Sequence, residues 1–191
     1  LYKYPKVNEK FIVKTWVNNM QKLYALRHYE IVDEQGNVMV QSYTRWIMYS
    51  FERLRPIKIS QELSDMFVFS DKKTVQIDNI DFKNEYPVID KKESVVLYKD
   101  IDTNWHMNNV SYVREGLQTM GKEFLDCNEV CECLVEYRHQ LLYNEKFEIE
   151  VKKVENNEYI YSIRQVEIEK QQKNNNADIY IKWRKKSDPY N

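Results

Sequence analysis

Alternating apolar and polar positions dominate the first third of the chain and predict a series of β-strands. In residues 11–17 the alternation places Phe11, Val13 and Val17 on one face, as in a strand with one buried face. Residues 23–32 predict a second strand and residues 38–49 a returning strand long enough to need a bend or bulge. The intervening Asp-Glu-Gln-Gly-Asn sequence predicts a hairpin turn in which Gly can adopt a positive φ.

The pattern changes period in the second half of the chain. An apolar run at residues 95–98 predicts a buried strand. A helix is predicted next, because four apolar residues follow at helical spacing and form one face: Val110, Val113, Leu117 and Met120. Gly116 lies inside this helix, where Gly costs about 1 kcal/mol relative to Ala, which predicts a close approach by a sheet. Alternation then predicts four strands, near residues 131–138, 147–152, 159–168 and 177–183.

The segments between the two halves are more polar. Ser60 predicts the start of a short helix at residues 61–66. Residues 70–94 are rich in charged residues and predict a linker. The chain is therefore expected to hold two domains.

Composition narrows the functional classes. Hydrophobic residues make up 42% of the 191 residues, which supports a folded core, and fifteen Tyr with three Gly favour strands. The net charge of −1 gives no reason to expect nucleic-acid binding. No apolar run approaches the length of a membrane span, and no signal peptide is visible. Three Cys, an odd number, predict no disulfide framework and fit a reducing cytoplasm.

A cluster of polar residues between the predicted strand and helix supplies the candidate chemistry. Asp102, Asn104 and His106 alternate, so a locally extended backbone would point all three side chains the same way. A carboxylate, an amide and an imidazole can together orient water and polarise a carbonyl. Asn108 or Asn109 can cap the helix, whose N-terminal amides suit a developing oxyanion. The cluster therefore predicts a hydrolytic site.

Three sequence blocks resemble one family. D-x-D-x-N-x-H-x-N-N-V-x-Y at residues 100–112 resembles the second-domain signature of the plant and bacterial acyl-acyl-carrier-protein thioesterases. Its core, D-x-x-x-H-x-N-N-x-x-Y, also resembles the wider hotdog-fold thioesterases. Residues 14–59 resemble the family's first-domain strands, and Val-Glu-Tyr-Arg at residues 135–138 resembles the strand that follows the central helix. The blocks occur in family order and cover roughly residues 5–183.

The resemblance implies an α+β protein with the hotdog fold, in which an antiparallel sheet wraps around a central helix. It implies a tandem pair: a partial N-terminal hotdog at residues 1–69, a linker at 70–94 and a C-terminal hotdog with the catalytic motif at 95–191. In the family, the strand at residues 11–17 follows a first strand and a long helix, which this sequence does not show. We therefore expect an N-terminal portion to be absent, and the concave face of the first sheet to be covered by another segment or partly exposed.

One position departs from the family pattern. The family usually has a catalytic Glu two residues after Glu-Tyr-Arg, where this chain has Gln140. Gln140 cannot act as a general base, although its amide can hold a water or a carbonyl. Three interpretations remain open: Asp102 or His106 supplies the base, Gln140 only positions water, or the protein binds acyl groups without hydrolysing them. His139 is a weaker substitute, because it points away from Gln140 on an ideal strand.

The resemblance implies hydrolysis of fatty acyl-acyl-carrier-protein to release free fatty acid in fatty acid biosynthesis. Its implied catalytic residues are Asp102, Asn104, His106 and Gln140, with Asn108 and Asn109 at the oxyanion-binding helix terminus. The alternatives are a non-catalytic acyl-binding hotdog protein and a hotdog acyl-coenzyme A thioesterase. No metal or organic cofactor is expected, because a thioester is already activated. The implied partner is acyl carrier protein, and a homodimer stays open because hotdog sheets commonly pair edge to edge.

Overall fold

Two separate antiparallel sheets carry most of the structure. The computed structural model describes residues 1–50, 52–53, 55–75, 80–166 and 175–186. The chain divides into two units, Leu1–Ile77 and Asp78–Asn191. Within the described ranges, no helix is long and apolar enough to span a membrane.

The first unit is built on a three-stranded sheet in the order β1-β2-β3. The tight turn between β2 and β3 forms as predicted, because Gly36 adopts a φ of 86° and the Asp33 carboxylate accepts the Asn37 amide at 2.8 Å. The Ser60 hydroxyl caps the short helix by accepting the Leu63 amide at 3.2 Å, which also confirms a prediction. The elements of this unit are β1 (Phe11–Met20), β2 (Tyr24–Asp33), β3 (Val38–Ile47), β4 (Tyr49–Ser50), β5 (Arg55–Pro56) and α1 (Gln61–Asp65).

One face of the first sheet is partly exposed. Val13, Ile31 and Val40 face the same side in register and line an open apolar pocket of about 290 Å³. Val13 is 58% exposed. Among the described residues of this unit, α1 is the only helix, and it has no buried residue.

The predicted linker at residues 70–94 needs correction at both ends. At its start, Thr74 donates its amide to Nδ1 of the buried His28 at 3.2 Å, and Trp16 donates its indole N–H to the Lys72 carbonyl at 2.6 Å. Burial, with a smaller effect from Lys73, lowers the pKa of His28. The polar residues after Ser70 therefore pack on the first sheet, because their backbone and side chains satisfy groups on it.

At the other end of the predicted linker, residues 88–95 form a strand of the second sheet. The described residues of the second unit form a five-stranded sheet in the order β6-β8-β9-β10-β7, so β6 is an edge strand. Edge strands commonly carry charged residues, and Lys91 pairs with Glu150 of β8 at 2.6 Å. The charges that predicted a linker therefore mark a sheet edge. The elements are β6 (Val88–Val95), α2 (Asn109–Leu117), α3 (Lys122–Cys127), β7 (Asn128–Tyr137), β8 (Lys146–Glu155), β9 (Glu158–Gln165) and β10 (Ala177–Lys185).

The apolar run at residues 95–98 is mostly outside a strand. Val95 ends β6, and a single 3₁₀ turn, Tyr98–Asp100, follows Leu97. The strand was therefore predicted too late in the sequence, because β6 ends where the predicted strand begins. The predicted returning strand at 159–168 ends at Gln165, and its last two residues lie outside the described part of the chain.

Helix α2 packs on the inner face of the second sheet, as a hotdog fold requires. A Cβ at Gly116 would lie 3.3 Å from Cγ of Tyr161 and 3.6 Å from Cδ1 of Ile179, which confirms the predicted close approach. The predicted apolar stripe is only partly correct. Val113, Leu117 and Met120 pack against the core, although Met120 lies beyond the helix end, whereas Val110 is exposed. Polar residues share the buried face, because they find partners there: Ser111, Tyr112 and Glu115.

Candidate active site

The polar turn between β6 and α2 is organised by the carboxylate of Asp102. Its Oδ1 accepts the amide of Asn104 at 2.8 Å and the amide of His106 at 3.4 Å. The Asp102 amide in turn donates to the His106 carbonyl at 2.9 Å. An Asp side chain that bonds to amides a few residues ahead folds the backbone into a turn. The segment is therefore a closed turn rather than the locally extended backbone predicted from the sequence.

A buried ion pair fixes this turn to helix α2. Asp100 is 2% exposed and pairs with the guanidinium of Arg114, which lies more than one helical turn from the start of α2. The other carboxylate oxygen of Asp100 accepts the amide of Leu97 at 3.0 Å. The backbone carbonyl of Asp100 accepts the amide of Asn108 at 2.7 Å. Asp100 therefore holds the beginning of the turn, its end and the helix in one rigid arrangement.

Asn108 is the N-cap of α2, as the sequence allowed. Its Oδ1 accepts the amide of Val110 at 2.9 Å, and its carbonyl accepts the amide of Ser111 at 2.8 Å. Asn109 is the first helical residue, and the first turn of α2 contains no acidic residue. The partial positive charge of the helix terminus is therefore not offset by a carboxylate within that turn.

Long-range backbone pairing brings the segment that carries Gln140 to this turn. The Met107 amide donates to the Leu141 carbonyl at 2.8 Å, and His106 and Leu142 form an antiparallel bridge. Strand β7 has ended by then, so the strand-face argument against His139 does not apply. Gln140 and His139 are both exposed, and the amide of His139 donates to the Asn176 carbonyl at 3.2 Å.

Two tyrosines clamp the helix terminus against this segment. The hydroxyl of Tyr112 accepts the amide of Leu141 at 2.9 Å, and the hydroxyl of Tyr137 donates to the Asn109 carbonyl at 2.9 Å. Their rings meet edge to face with centroids 5.6 Å apart. Burial raises the pKa of Tyr112 to about 12, so its hydroxyl stays neutral over the usual pH range. Burial also raises the pKa of Tyr137.

The Glu-Tyr-Arg motif at the end of β7 anchors the chain just before Gln140. Arg138 forms ion pairs with Glu136 and with Asp178 of β10, and Asp178 is buried. The Asn176 carbonyl accepts the Arg138 amide at 2.9 Å. The motif therefore has a structural reason: it fixes the direction in which the chain leaves β7.

The structure thus brings most of the predicted site residues into one place. Asp102, Asn104 and His106 share one turn, Asn108 and Asn109 begin the helix that follows, and Gln140 lies next to them through the Met107–Leu141 pairing. Within the described ranges, the side chains of Asn104, His106 and Gln140 have no hydrogen-bond partner, so they are available to a substrate. Asp102, by contrast, is already engaged in building the turn.

Residues that support the site from outside the polar turn could not be predicted from the sequence. Asp100 and Tyr112 belong to the recognised signature, but nothing local in the sequence indicates their partners Arg114 and Leu141.

Comparison with solved structures defines the class to which the fold and site belong. An acyl-ACP thioesterase from Bacteroides thetaiotaomicron superposes with a TM-score of 0.77 over 92% of this chain and 69% of that chain, at 17% identity. A 12:0-ACP thioesterase from Umbellularia californica superposes with a TM-score of 0.71 over 92% and 68%, at 15% identity. The chain is a hotdog-fold protein.

Sequence comparison then gives the family. Residues 1–67 match the acyl-ACP thioesterase N-terminal domain, and residues 84–185 match the C-terminal domain. The chain belongs to the acyl-ACP thioesterase family. A chloroplastic acyl-acyl-carrier-protein hydrolase of Cuphea viscosissima is 28% identical over 148 residues, which are 72% of this chain and 35% of that protein. An oleoyl-acyl carrier protein thioesterase of Arabidopsis thaliana is 22% identical over 154 residues, 73% of this chain and 42% of that protein. The chain thus spans well under half the length of these curated relatives.

Proposed function

We propose that this protein hydrolyses the thioester of fatty acyl-acyl-carrier-protein and releases free fatty acid in fatty acid biosynthesis. The observation that carries the proposal is the turn in which one Asp102 oxygen binds the amides of Asn104 and His106, directly before a capped helix. Membership of the acyl-ACP thioesterase family supports the choice of substrate.

The proposed reaction is attack by water on the thioester carbonyl. His106 is the general base, because its imidazole has no partner in the described part of the chain, whereas Asp102 is occupied by two amides. Water loses a proton to the imidazole as its oxygen bonds to the carbonyl carbon, and the C–S bond then breaks. The imidazolium returns the proton to the leaving thiolate, which departs as the carrier-protein thiol.

The helix terminus stabilises the charge that develops on the carbonyl oxygen. The backbone amides of Val110 and Ser111 already donate to Asn108. In our mechanism the amide of Asn109 therefore donates to the carbonyl oxygen of the substrate. A fixed N–H at a helix terminus is worth about 3 kcal/mol in comparable oxyanion sites. Asn104 and Gln140 hold the water and the carbonyl by their side-chain amides, since neither can accept a proton.

A second candidate function is acyl binding without hydrolysis. Gln140, where the family usually has Glu, favours it. We further propose a cytoplasmic location, because three Cys, an odd number, do not make a disulfide framework. A homodimer is the assembly to test first, because hotdog sheets offer edges for pairing.

The test compares hydrolysis of acyl-acyl-carrier-protein and acyl-coenzyme A by the full-length protein and by His106→Ala. We expect hydrolysis of acyl-acyl-carrier-protein, with kcat lowered by about 100-fold or more in the variant, as for the loss of a general base. His139→Ala is the matched control, because His139 is exposed and outside the proposed machinery, and it should retain the wild-type rate. Circular dichroism should show the same melting temperature for all three proteins.

Each other result has a distinct meaning. Binding of acyl-acyl-carrier-protein without turnover would favour the acyl-binding alternative. Turnover of acyl-coenzyme A alone would make the protein a coenzyme A thioesterase. A wild-type rate in His106→Ala would remove His106 from the mechanism.

A further inference from the structure

Three exposed aromatic side chains lie around the polar turn. Tyr98 is 72% exposed, Trp105 67% and Tyr143 58%. We call these three residues the aromatic rim. Large aromatic side chains contribute most when they are buried, so three such side chains left in water next to the candidate active site indicate a contact with another molecule.

The rim is contiguous with His106. The antiparallel bridge between His106 and Leu142 brings together the segments that carry Trp105 and Tyr143, each of which is the chain neighbour of a bridged residue. The ring of Tyr143 meets the ring of Tyr98 edge to face, with centroids 6.5 Å apart. Trp105 and Tyr143 therefore each lie one residue from the His106–Leu142 bridge, and the ring of Tyr98 contacts the ring of Tyr143.

The backbone of Trp105 is strained. Its φ is 64°, a left-handed conformation that Gly or Asn adopts more readily than a bulky residue. Such a conformation costs about 1–3 kcal/mol. Packing within the protein does not offset this cost, because two thirds of the side chain remains in water. The strained and exposed tryptophan is best explained by a ligand that contacts it.

We propose that the aromatic rim binds the phosphopantetheine arm of the acyl-carrier-protein substrate. This inference rests on the proposed function, in which the thioester sulfur lies at the turn. The thioester sulfur joins the acyl chain to the arm. A surface next to His106 therefore contacts either the acyl chain or the arm. An acyl chain against such exposed rings would remain in water, whereas the uncharged amides and the dimethyl carbon of the arm suit an open aromatic surface.

Charge supports the direction of the arm. Tyr98 is linked to the His106–Leu142 bridge through Tyr143, whereas Trp105 and Tyr143 are chain neighbours of the bridged residues, and the residue after Tyr98, Lys99, is an exposed lysine. The arm ends in a phosphate at the end opposite the sulfur. The rim therefore presents uncharged rings to the uncharged part of the arm and a lysine to its charged end, in the order in which the arm carries them.

The test measures KM with two thioesters of the same acyl group. One has the complete 4′-phosphopantetheine arm, and the other has only N-acetylcysteamine. In Trp105→Gly we expect KM for the complete arm to rise about tenfold, as for the loss of one strong aromatic contact, and KM for the truncated thioester to change less than twofold. Trp105→Phe should restore part of the loss. Trp105→Gly should unfold at the same or a higher urea concentration, because Gly relieves the strain.

Two further variants sharpen the test. Lys99→Ala should raise KM severalfold for the phosphorylated arm but not for the same thioester without its phosphate. Ile89→Ala, an equally open apolar position on β6 (54% exposed), is the matched control and should leave both KM values unchanged. An unchanged KM for the complete arm in Trp105→Gly would overturn the proposal.

The carrier and the reaction are tested separately. Acyl-acyl-carrier-protein should show the same rise in KM as the free arm, whereas a rise confined to acyl-coenzyme A would overturn the assignment to the carrier protein. If the full chain hydrolyses no thioester, the proposed function fails, and calorimetric titration with 4′-phosphopantetheine still decides the inference. Weaker binding by Trp105→Gly would support it, and equal or absent binding in both proteins would overturn it.

Discussion

The hydroxyl of Tyr112 accepts the amide hydrogen of Leu141 at 2.9 Å. This single bond joins helix α2 to the segment that carries Gln140, across 29 positions of sequence. Because the Met107 amide donates to the carbonyl of the same residue, Leu141 is held on both sides. The position of Gln140 beside the turn therefore depends on a buried tyrosine hydroxyl.

Tyr112→Phe should destabilise the second unit and disturb the site together. The substitution keeps the ring but leaves the buried Leu141 amide without an acceptor, which costs about 1–3 kcal/mol. Urea unfolding measures this loss, and Tyr98→Phe, which removes an exposed hydroxyl, is the control. Equal stability of Tyr112→Phe and wild type would contradict the assigned role of the hydroxyl.

The same substitution should alter stability at high pH. The pKa of Tyr112 is raised by burial from its ordinary value of 10.0 to about 12. Its contribution to folding is therefore complete below pH 10 and is lost as the pH rises toward 12. The loss of stability with rising pH should be smaller in Tyr112→Phe than in wild type. Part of the loss should remain in the variant, because burial also raises the pKa of Tyr161.

Two substitutions of Asp102 should distinguish its role in building the turn from a role in proton transfer. Asp102→Asn retains an oxygen that can accept the Asn104 and His106 amides, so we expect wild-type stability and at most about a tenfold loss of kcat, from the missing charge near the base. Asp102→Ala removes the acceptor and should lose about 100-fold or more. Steady-state rates and thermal melting of both variants provide the comparison. Should Asp102→Asn be as inactive as Asp102→Ala, the carboxylate itself takes part in proton transfer.

Gln140→Glu should increase the rate. A carboxylate at this exposed position can accept a proton, which an amide cannot, and an added general base contributes about tenfold or more. Stability should not change, because the side chain is exposed. The measurement is kcat as a function of pH, with Gln140→Ala as the control. A lower rate in Gln140→Glu would show that the amide is adapted to hold the water or the carbonyl.

Gly116→Ala should destabilise the helix–sheet packing. Ala would gain about 1 kcal/mol in helix propensity, but its Cβ would lie 3.3 Å from the buried ring of Tyr161, and overpacking costs about 1–3 kcal/mol. We expect a net loss of about 1 kcal/mol in urea unfolding. Gly121→Ala is the matched control, since nothing lies within 4 Å of its added Cβ. A more stable Gly116→Ala protein would mean that the sheet can move away.

Local sequence signals predicted the elements whose formation depends on neighbouring residues. The hairpin turn at Gly36, the Ser60 and Asn108 caps and the close approach at Gly116 all follow from backbone conformation or short-range hydrogen bonds. The prediction of an extended backbone at residues 102–106 was wrong, and the reason is again a short-range hydrogen bond. There the Asp102 side chain competes with an extended conformation by bonding to amides ahead of it.

The sequence by itself determined the strand periodicity, the family signature and the residue types at the reacting turn, because these are properties of residues close together in the chain. Only the tertiary structure decided that the charged segment before Val95 is a sheet edge, that Asp100 pairs with Arg114 and that the segment following Gln140 pairs with the turn that carries His106. The physical reason is that each of these depends on which distant segments pair. That choice minimises the free energy of the whole unit rather than of any short stretch.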